Sequence, residues 1–156
     1  MADYKSGFKR QSNDRFMSYV LIGFAVSFFI IIISIILFNL FSTELTYSSF
    51  DHINDYSEIT NKDEDKYLVY YYSEICGHCN DIKIQVLEFA DENNEDIKVY
   101  FIDAGKVTGY NNIQGMNGTP SLLMVVNGQL VDFVSGSDKI INIFDQINGG
   151  TYLYIN

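Results

Sequence analysis

Cysteine, proline and tryptophan are scarce in this sequence, which has two cysteines, one proline and no tryptophan. Two cysteines are too few to hold a domain together by disulfides. Both lie in one short motif, Cys76-Gly77-His78-Cys79, whose spacing points to chemistry. A structural zinc site needs four ligands, and only His52 and His78 could join the cysteine pair. We therefore expect no metal site, and a purely structural disulfide stays open as an alternative.

Charge is absent from a long stretch near the N-terminus, between residues 16 and 43. A bilayer core needs about 20 apolar residues, so we predict a transmembrane helix over 17–41 and a linker over 42–46. A cleaved signal peptide is the alternative. Its apolar core would usually be about 7–15 residues long and followed by small residues. This run is longer, and it ends in Leu-Phe-Ser-Thr-Glu.

The charged residues are divided unequally around this span. The first 16 residues hold four cationic and two acidic side chains, whereas the chain from Glu44 onward holds six lysines and eighteen carboxylates. Because cationic flanks stay in the cytoplasm, we expect a single-pass membrane protein with a short cytoplasmic N-terminus over 1–16 and an extracytoplasmic domain over 47–156. The lipid bilayer is then an expected partner. Nucleic acid is not, because an acidic domain repels phosphates.

The apolar pattern of the domain predicts alternating strands and helices. Continuous apolar runs are typical of strands buried on both faces, and Asn127-Gly128 between two such runs favours a tight hairpin. Apolar residues three or four positions apart favour helices. Strands are predicted over 66–72, 97–102, 122–126 and 130–134, and helices over 48–60 (weak), after Cys79 and over 138–147, with an irregular segment at 103–117. Strand–helix–strand followed by a hairpin indicates an α/β domain with a mixed sheet.

Two motifs resemble those of thioredoxin-like proteins. Residues 68–79 (Leu-Val-Tyr-Tyr-Tyr-Ser-Glu-Ile-Cys-Gly-His-Cys) resemble their active-site strand and helix start, and residues 118–123 (Gly-Thr-Pro-Ser-Leu-Leu), followed by Asn127-Gly128, resemble their cis-proline loop and hairpin. The resemblance covers about residues 47–147. It implies a thioredoxin-like fold, with a central mixed sheet flanked by helices. It also implies a thiol–disulfide oxidoreductase whose redox-active disulfide is Cys76–Cys79, with no other cofactor.

The roles expected within the first motif follow from its place at a helix start. Unpaired backbone N–H groups there stabilise negative charge and lower a thiol pKa. Cys76 is therefore the predicted attacking thiolate, and Cys79 is the more buried residue that resolves the mixed disulfide. Gly77 is expected to let the backbone of a partner approach. His78 is expected to add positive charge beside the Cys76 sulfur. The Gly-His pair resembles that of the protein disulfide isomerases, which implies an oxidising potential; an exposed polar His78 of little effect is the alternative.

In the second motif, Thr119 and Pro120 are the expected substrate-binding residues. In the family this proline is cis and packs against the disulfide, and its bond places the preceding backbone for pairing with a bound peptide. The alternative is an ordinary trans proline that opens a strand.

The chain departs from the thioredoxin pattern next to the motif. Tyr70 stands where thioredoxin has a buried acid that helps to deprotonate the second cysteine, and Ile75 replaces a tryptophan. The proton acceptor for Cys79 is therefore open. Glu74 is a candidate by proximity alone and is more typical of a solvated residue. We expect the tyrosines at 67 and 70–72 to serve in packing rather than catalysis.

Three functions compete at this level. The first is formation or exchange of disulfides in exported cysteine-containing proteins. The second is the reverse reaction, reduction of exported thiols or of haem-attachment cysteines, which would require a membrane redox partner because this chain has one span. The third is a non-enzymatic accessory subunit of an export or bacteriocin-maturation system. The sequence does not fix the direction of electron flow, the substrate or the oligomeric state.

Overall fold

The computed structural model describes residues 13–41, 45–109, 111, 113, 116 and 118–155, which belong to two separate units, residues 1–44 and 45–156. Several sequence predictions fall partly outside these described residues. They are the cytoplasmic segment up to residue 12, residues 42–44 of the linker, and positions 110, 112, 114, 115 and 117 of the irregular segment.

The first unit is described as one helix, α1, which spans Asn13–Phe41. Its segment Phe16–Leu37 has 22 residues. At 1.5 Å per residue this is about 33 Å of helix, slightly more than the ~30 Å bilayer core. Large apolar side chains are exposed all along it. Among the described residues, this is the one helix long and apolar enough to span a membrane.

The second unit is built on one mixed sheet with the strand order β2-β1-β3-β4. β1 runs parallel to β2 and antiparallel to β3, and β3 runs antiparallel to β4. The strands are β1 (Lys66–Tyr72), β2 (Lys98–Asp103), β3 (Ser121–Val126) and β4 (Gln129–Ser135). All four predicted strands are confirmed, to within one residue at each end.

Strand β1 is buried on both faces because helices cover one face and the non-helical segment with Ile53 and Ile59 covers the other. Leu68, Val69 and Tyr70 are each 0% exposed. Leu68 and Tyr70 pack into the core on the face that holds Cys79, whereas Val69 packs with Leu123 on the opposite face. Burying a Leu or Val side chain stabilises a fold by about 1.5–3 kcal/mol. The continuous apolar run is therefore the central strand of the domain.

The β3–β4 hairpin turns at the predicted Asn-Gly pair. Asn127 has φ 49° and Gly128 has φ 72°, which is the pair of positive φ values of a type I′ turn. A Cβ on Gly128 would lie 3.2 Å from the carbonyl oxygen of Thr60. Glycine is therefore required here both by conformation and by space.

Three helices flank the sheet: α2 (Gly77–Asp81), α3 (Lys83–Glu92) and α4 (Ser137–Asn148). The helix predicted after Cys79 is present but breaks at Ile82, whose φ is −111° and ψ 7°. α3 and α4 meet through Phe89 and Phe144, whose stacked rings have centroids 4.0 Å apart. The C-terminal helix predicted at 138–147 is confirmed.

The weak helix predicted over 48–60 is wrong. This segment contains only two short 3₁₀ turns, Tyr47–Ser49 and Tyr56–Glu58. Between them the backbone lies along β2: the Ile53 N–H donates to the Phe101 carbonyl, and the Phe101 N–H donates to the Asp51 carbonyl. Pairing with β2 satisfies the backbone groups that a helix would otherwise satisfy internally.

Candidate active site

The chain leaves β1 and places Cys76 at the start of α2. The Cys76 N–H donates to the Ser73 carbonyl at 3.1 Å, which fixes the loop before the helix. Cys76 has an extended backbone (φ −81°, ψ 118°) and is the N-cap residue of α2. Its Sγ accepts the backbone N–H of Cys79 at 3.4 Å. The sulfur therefore takes the place of the oxygen that usually caps a helix N-terminus.

The loop before β3 supplies the other wall of the site. The Cys76 thiol donates to the Thr119 carbonyl oxygen at 3.3 Å, and the Thr119–Pro120 peptide bond is cis. Ser121 anchors this loop, because its hydroxyl donates to the Gly118 carbonyl at 2.7 Å and also lies 2.7 Å from the Ser135 hydroxyl on β4. The two motifs, 43 residues apart in sequence, thus meet at one sulfur atom.

The two thiols are free and in opposite environments. Burial of Cys76 works to raise its pKa, but hydrogen bonds from the side chains of Cys79 and Thr119 and from the backbone N–H groups of Cys79 and His78 outweigh it and lower the pKa below the usual value. Cys79 is 0% exposed. Burial, followed by the hydrogen bond with Cys76, raises the pKa of Cys79 to about 11. As pH rises, Cys76 therefore ionises before Cys79.

Comparison with known proteins identifies the family. A family model described as Thioredoxin matches residues 48–149, well over half of the chain. The chain belongs to the thioredoxin family. No curated protein sequence matches it closely enough to count as a relative.

Solved thioredoxins share its fold at low identity. Mitochondrial thioredoxin 3 of Saccharomyces cerevisiae is 17% identical, with a TM-score of 0.55, and the match covers 64% of this chain and 97% of that one. The thioredoxin of Malassezia sympodialis is 19% identical with a TM-score of 0.52, and the match covers 62% of this chain and 89% of that one. The thioredoxin of Fasciola hepatica is 17% identical with a TM-score of 0.52, and the match covers 62% of this chain and 98% of that one. The thioredoxin-like α/β fold is thereby confirmed, and family membership supports thiol–disulfide oxidoreduction as the broad class of activity.

Three residues next to the cysteines in sequence, Ile75, Gly77 and His78, are exposed to solvent. The His78 side chain is 81% exposed, and its Nδ1 lies 3.6 Å from an Asp81 carboxylate oxygen. Its backbone N–H, rather than a ring nitrogen, is among the groups that lower the Cys76 pKa. Gly77 is exposed, and an added Cβ would meet nothing within 4 Å. Ile75, in the tryptophan position of thioredoxin, is 95% exposed and leaves an apolar side chain beside the reactive sulfur.

Glu74 is not buried with Cys79. Its side chain is 64% exposed and pairs with Lys106 at 3.1 Å, and Lys106 also binds the largely buried Asp103 at 2.9 Å. This placement favours the solvated reading of Glu74 over a role as proton acceptor for Cys79.

Sequence reasoning missed the environment beneath Cys79. Tyr70 and Tyr72 of β1 pack there, as expected for core residues, but Tyr47 joins them from 23 residues upstream of Tyr70. The rings of Tyr47 and Tyr72 stack with centroids 3.9 Å apart, and those of Tyr47 and Tyr70 at 6.3 Å. Tyr47 lies before the resembling motif and carried no signal of its own. In the described part of the chain, no cluster of three or more potential ligands that could hold a metal ion is found.

Proposed function

We propose that this chain is a membrane-anchored thiol–disulfide oxidoreductase that forms or exchanges disulfides in exported cysteine-containing proteins. One observation carries the proposal: the contrast between a hydrogen-bonded, partly accessible Cys76 with a lowered pKa and a fully buried Cys79 with a raised one. An attacking thiol must be both ionised and reachable. Only Cys76 meets both conditions.

The proposed reaction uses the two cysteines in turn. In the oxidising direction, a partner thiolate attacks Cys76 Sγ of the Cys76–Cys79 disulfide, and Cys79 leaves as a thiolate. A second partner thiolate then attacks the partner sulfur of the mixed disulfide. The partner gains a disulfide, and Cys76 leaves as a thiolate. Two electrons pass from the partner to the cysteine pair, and the same steps run backwards exchange or reduce disulfides.

The binding surface proposed for the partner is formed by Gly77, Thr119 and Pro120. An added Cβ at Gly77 would meet nothing within 4 Å, so this position is open to a partner, and Thr119 faces Cys76 through its carbonyl. The Thr119 backbone is thus available beside the reactive sulfur for pairing with an extended peptide. The exposed Ile75 adds an apolar contact for such a peptide.

The direction we propose is oxidation. A low Cys76 pKa stabilises the dithiol form over the disulfide, and this makes the pair a better oxidant. We place the domain outside the cytoplasm, with α1 as an uncleaved anchor, because the cationic residues precede the apolar helix and the acidic residues follow it. An extracytoplasmic compartment also lets disulfides persist.

Mixed-disulfide trapping in intact cells tests the proposal. When Cys76 attacks a partner disulfide, Cys79 resolves the mixed disulfide that results, so replacing Cys79 with Ala should make covalent complexes with partner proteins accumulate on a non-reducing gel. Cys76→Ala is the matched control and should trap nothing, since the nucleophile is gone. Equal trapping by both variants would contradict the assigned roles. No trapping together with full biological activity of both variants would support the accessory-subunit reading.

A further inference from the structure

Two tyrosine hydroxyls are buried next to Cys79 without a hydrogen-bond partner among the described residues. They belong to Tyr47 and Tyr70, whose exposed fractions are 7% and 0%. Leaving a buried hydroxyl unpaired is costly for a fold, and most buried polar groups are paired. Other buried tyrosines of this domain are paired: Tyr67 donates to the Ile59 carbonyl at 2.8 Å, and Tyr152 to Asp132 at 2.7 Å. The unpaired hydroxyls therefore call for an explanation specific to this place.

The explanation lies in what surrounds them. Tyr70 extends from β1 into the face of the core that holds Cys79. Its hydroxyl interacts with Tyr47 and with Cys79, and negative charge on Cys79 disfavours ionisation of both tyrosines. Cys79 is a neutral thiol in this structure, with its pKa raised to about 11. A thiol is a weak acceptor, whereas a thiolate is a strong one. While Cys79 keeps its proton, the acceptors near the two hydroxyls are each other's oxygen and a weakly accepting thiol, and neither hydroxyl makes a well-formed hydrogen bond.

Tyr70 cannot replace the buried acid of thioredoxins as a base. Burial first, then the neighbouring Tyr47 and Cys79, raise the pKa of Tyr70 far above its usual value. The phenol therefore stays protonated at any pH at which the protein works. What it offers to Cys79 is a hydrogen-bond donor.

We infer that the Tyr70 hydroxyl, supported by that of Tyr47, donates a hydrogen bond to the Cys79 sulfur when it becomes a thiolate, and so stabilises the thiolate in a site that lacks the buried acid of thioredoxins. The inference rests on the proposed function, because Cys79 is a thiolate only when it attacks the mixed disulfide or when it is released from the Cys76–Cys79 disulfide. During resolution Cys79 Sγ bonds to Cys76 Sγ, and the bond from Cys76 to the partner sulfur breaks. Cys79 is oxidised from thiol to disulfide, Cys76 stays at the disulfide level, the partner sulfur is reduced, and the proton given up by Cys79 ends on the departing partner thiolate. Tyr70 keeps its own proton throughout.

A chromogenic disulfide separates the two steps in the full-length protein in detergent. One equivalent of dithiobis(nitrobenzoate) added to the reduced protein should release coloured thiolate in two phases. The first phase is attack by Cys76, and the second is attack by Cys79 on the mixed disulfide. The rates of both phases are measured between about pH 6 and 10, a range that covers ordinary thiol ionisation.

Tyr70→Phe is the decisive variant. A hydrogen bond to a charged group is strong enough that its loss should slow the second phase at neutral pH about tenfold or more. The pH midpoint of the second phase should rise as well, while the first phase stays as in wild type. Tyr47→Phe should show the same pattern to a smaller extent. Thermal unfolding should show Tyr70→Phe to be at least as stable as wild type, because the hydroxyl removed is an unpaired one.

Tyr67→Phe is the matched control. Tyr67 lies on the same strand and is equally buried, but it faces away from Cys79 and its hydroxyl is paired with Ile59. This variant should lose stability without slowing the second phase. A second phase that is unchanged in both Tyr70→Phe and Tyr47→Phe would overturn the inference, as would equal slowing in Tyr67→Phe. Absence of any second phase in the wild type would refute the proposed function itself.

Discussion

The effect of the His78 backbone N–H on the Cys76 pKa gives a specific prediction about redox potential. The His78 N–H helps to lower the Cys76 pKa, whereas the His78 ring is exposed and directed to Asp81. Proline at position 78 removes the N–H and the ring together, and alanine removes the ring alone. Proline is tolerated in the first turn of a helix. Comparing the two variants therefore separates the effect of the His78 backbone N–H from the effect of the imidazole charge.

The expected size follows from the energy of one hydrogen bond. A bond to a charged group contributes about 1.5–3 kcal/mol, and one pKa unit corresponds to about 1.36 kcal/mol. His78→Pro should therefore raise the Cys76 pKa by about one to two units. Since about 30 mV corresponds to 1.4 kcal/mol for a two-electron couple, the reduction potential should fall by some tens of millivolts, at most about 60 mV. His78→Ala should shift both quantities less.

Two assays on the same samples measure these shifts. Equilibration against glutathione buffers gives the potential, and the pH dependence of alkylation of Cys76 gives its pKa. A potential that is unchanged or higher in His78→Pro would refute the reasoning and make the reductase the better reading. A shift of equal size in His78→Ala would instead assign the effect to the imidazole charge.

Two further predictions concern orientation and acid stability. A membrane-impermeant protease added to intact cells, after removal of any wall, should digest the domain over residues 45–155 and spare the first fifteen residues; the opposite pattern would refute an extracytoplasmic domain. Burial works to raise the pKa of Asp103, but Lys106 and the Gly105 N–H outweigh it and hold the pKa below its usual value. The stabilisation by the Asp103 carboxylate is therefore present above the unfolded-state pKa of about 3.9. It is lost as pH falls through the lower folded-state pKa. Asp103→Asn should therefore lower the thermal unfolding temperature at pH 7 and have a smaller effect at pH 3; an equal loss at both pH values would show that the carboxylate charge does not matter.

The strands of this domain could be predicted from the sequence because their signal is local. The run at 66–72 is apolar on both faces, since β1 is covered on both faces. The hairpin was predicted because only a few residue types accept the positive φ found at Asn127 and Gly128. In both places the residues that predict the element are the same residues that form it.

The first part of the domain could not be predicted in this way. Its apolar residues Ile53 and Ile59 lie six positions apart in a polar segment, which is compatible with a weak helix. They are buried because the backbone around residue 53 pairs with Phe101 of β2, nearly 50 residues later. The break at Ile82 is similar, because the sequence has no glycine or proline there to mark it. In each case long-range packing overrides a local preference.

Only the residues around the Cys76 sulfur could be predicted from the sequence; the residues that surround Cys79 could not. Cys76 and Thr119 belong to motifs, and the structure brings them together at 3.3 Å. The surroundings of Cys79 include Tyr47, which belongs to neither motif and is brought into the same core cluster only by folding. Tyr70 was recognisable as a departure, since an acid is expected there, but its unpaired hydroxyl is visible only in three dimensions.

The opposed surroundings of the two thiols also impose an order on the proposed reaction. Negative charge on Cys76 is one of the factors that raise the Cys79 pKa, so Cys79 is held protonated while Cys76 is a free thiolate. Once Cys76 is bonded to a partner its charge is gone, and this obstacle to ionising Cys79 is removed. The Tyr70 hydroxyl then has an acceptor. Formation of the mixed disulfide therefore removes one of the contributions that hold the Cys79 pKa high, while burial, the largest of them, remains.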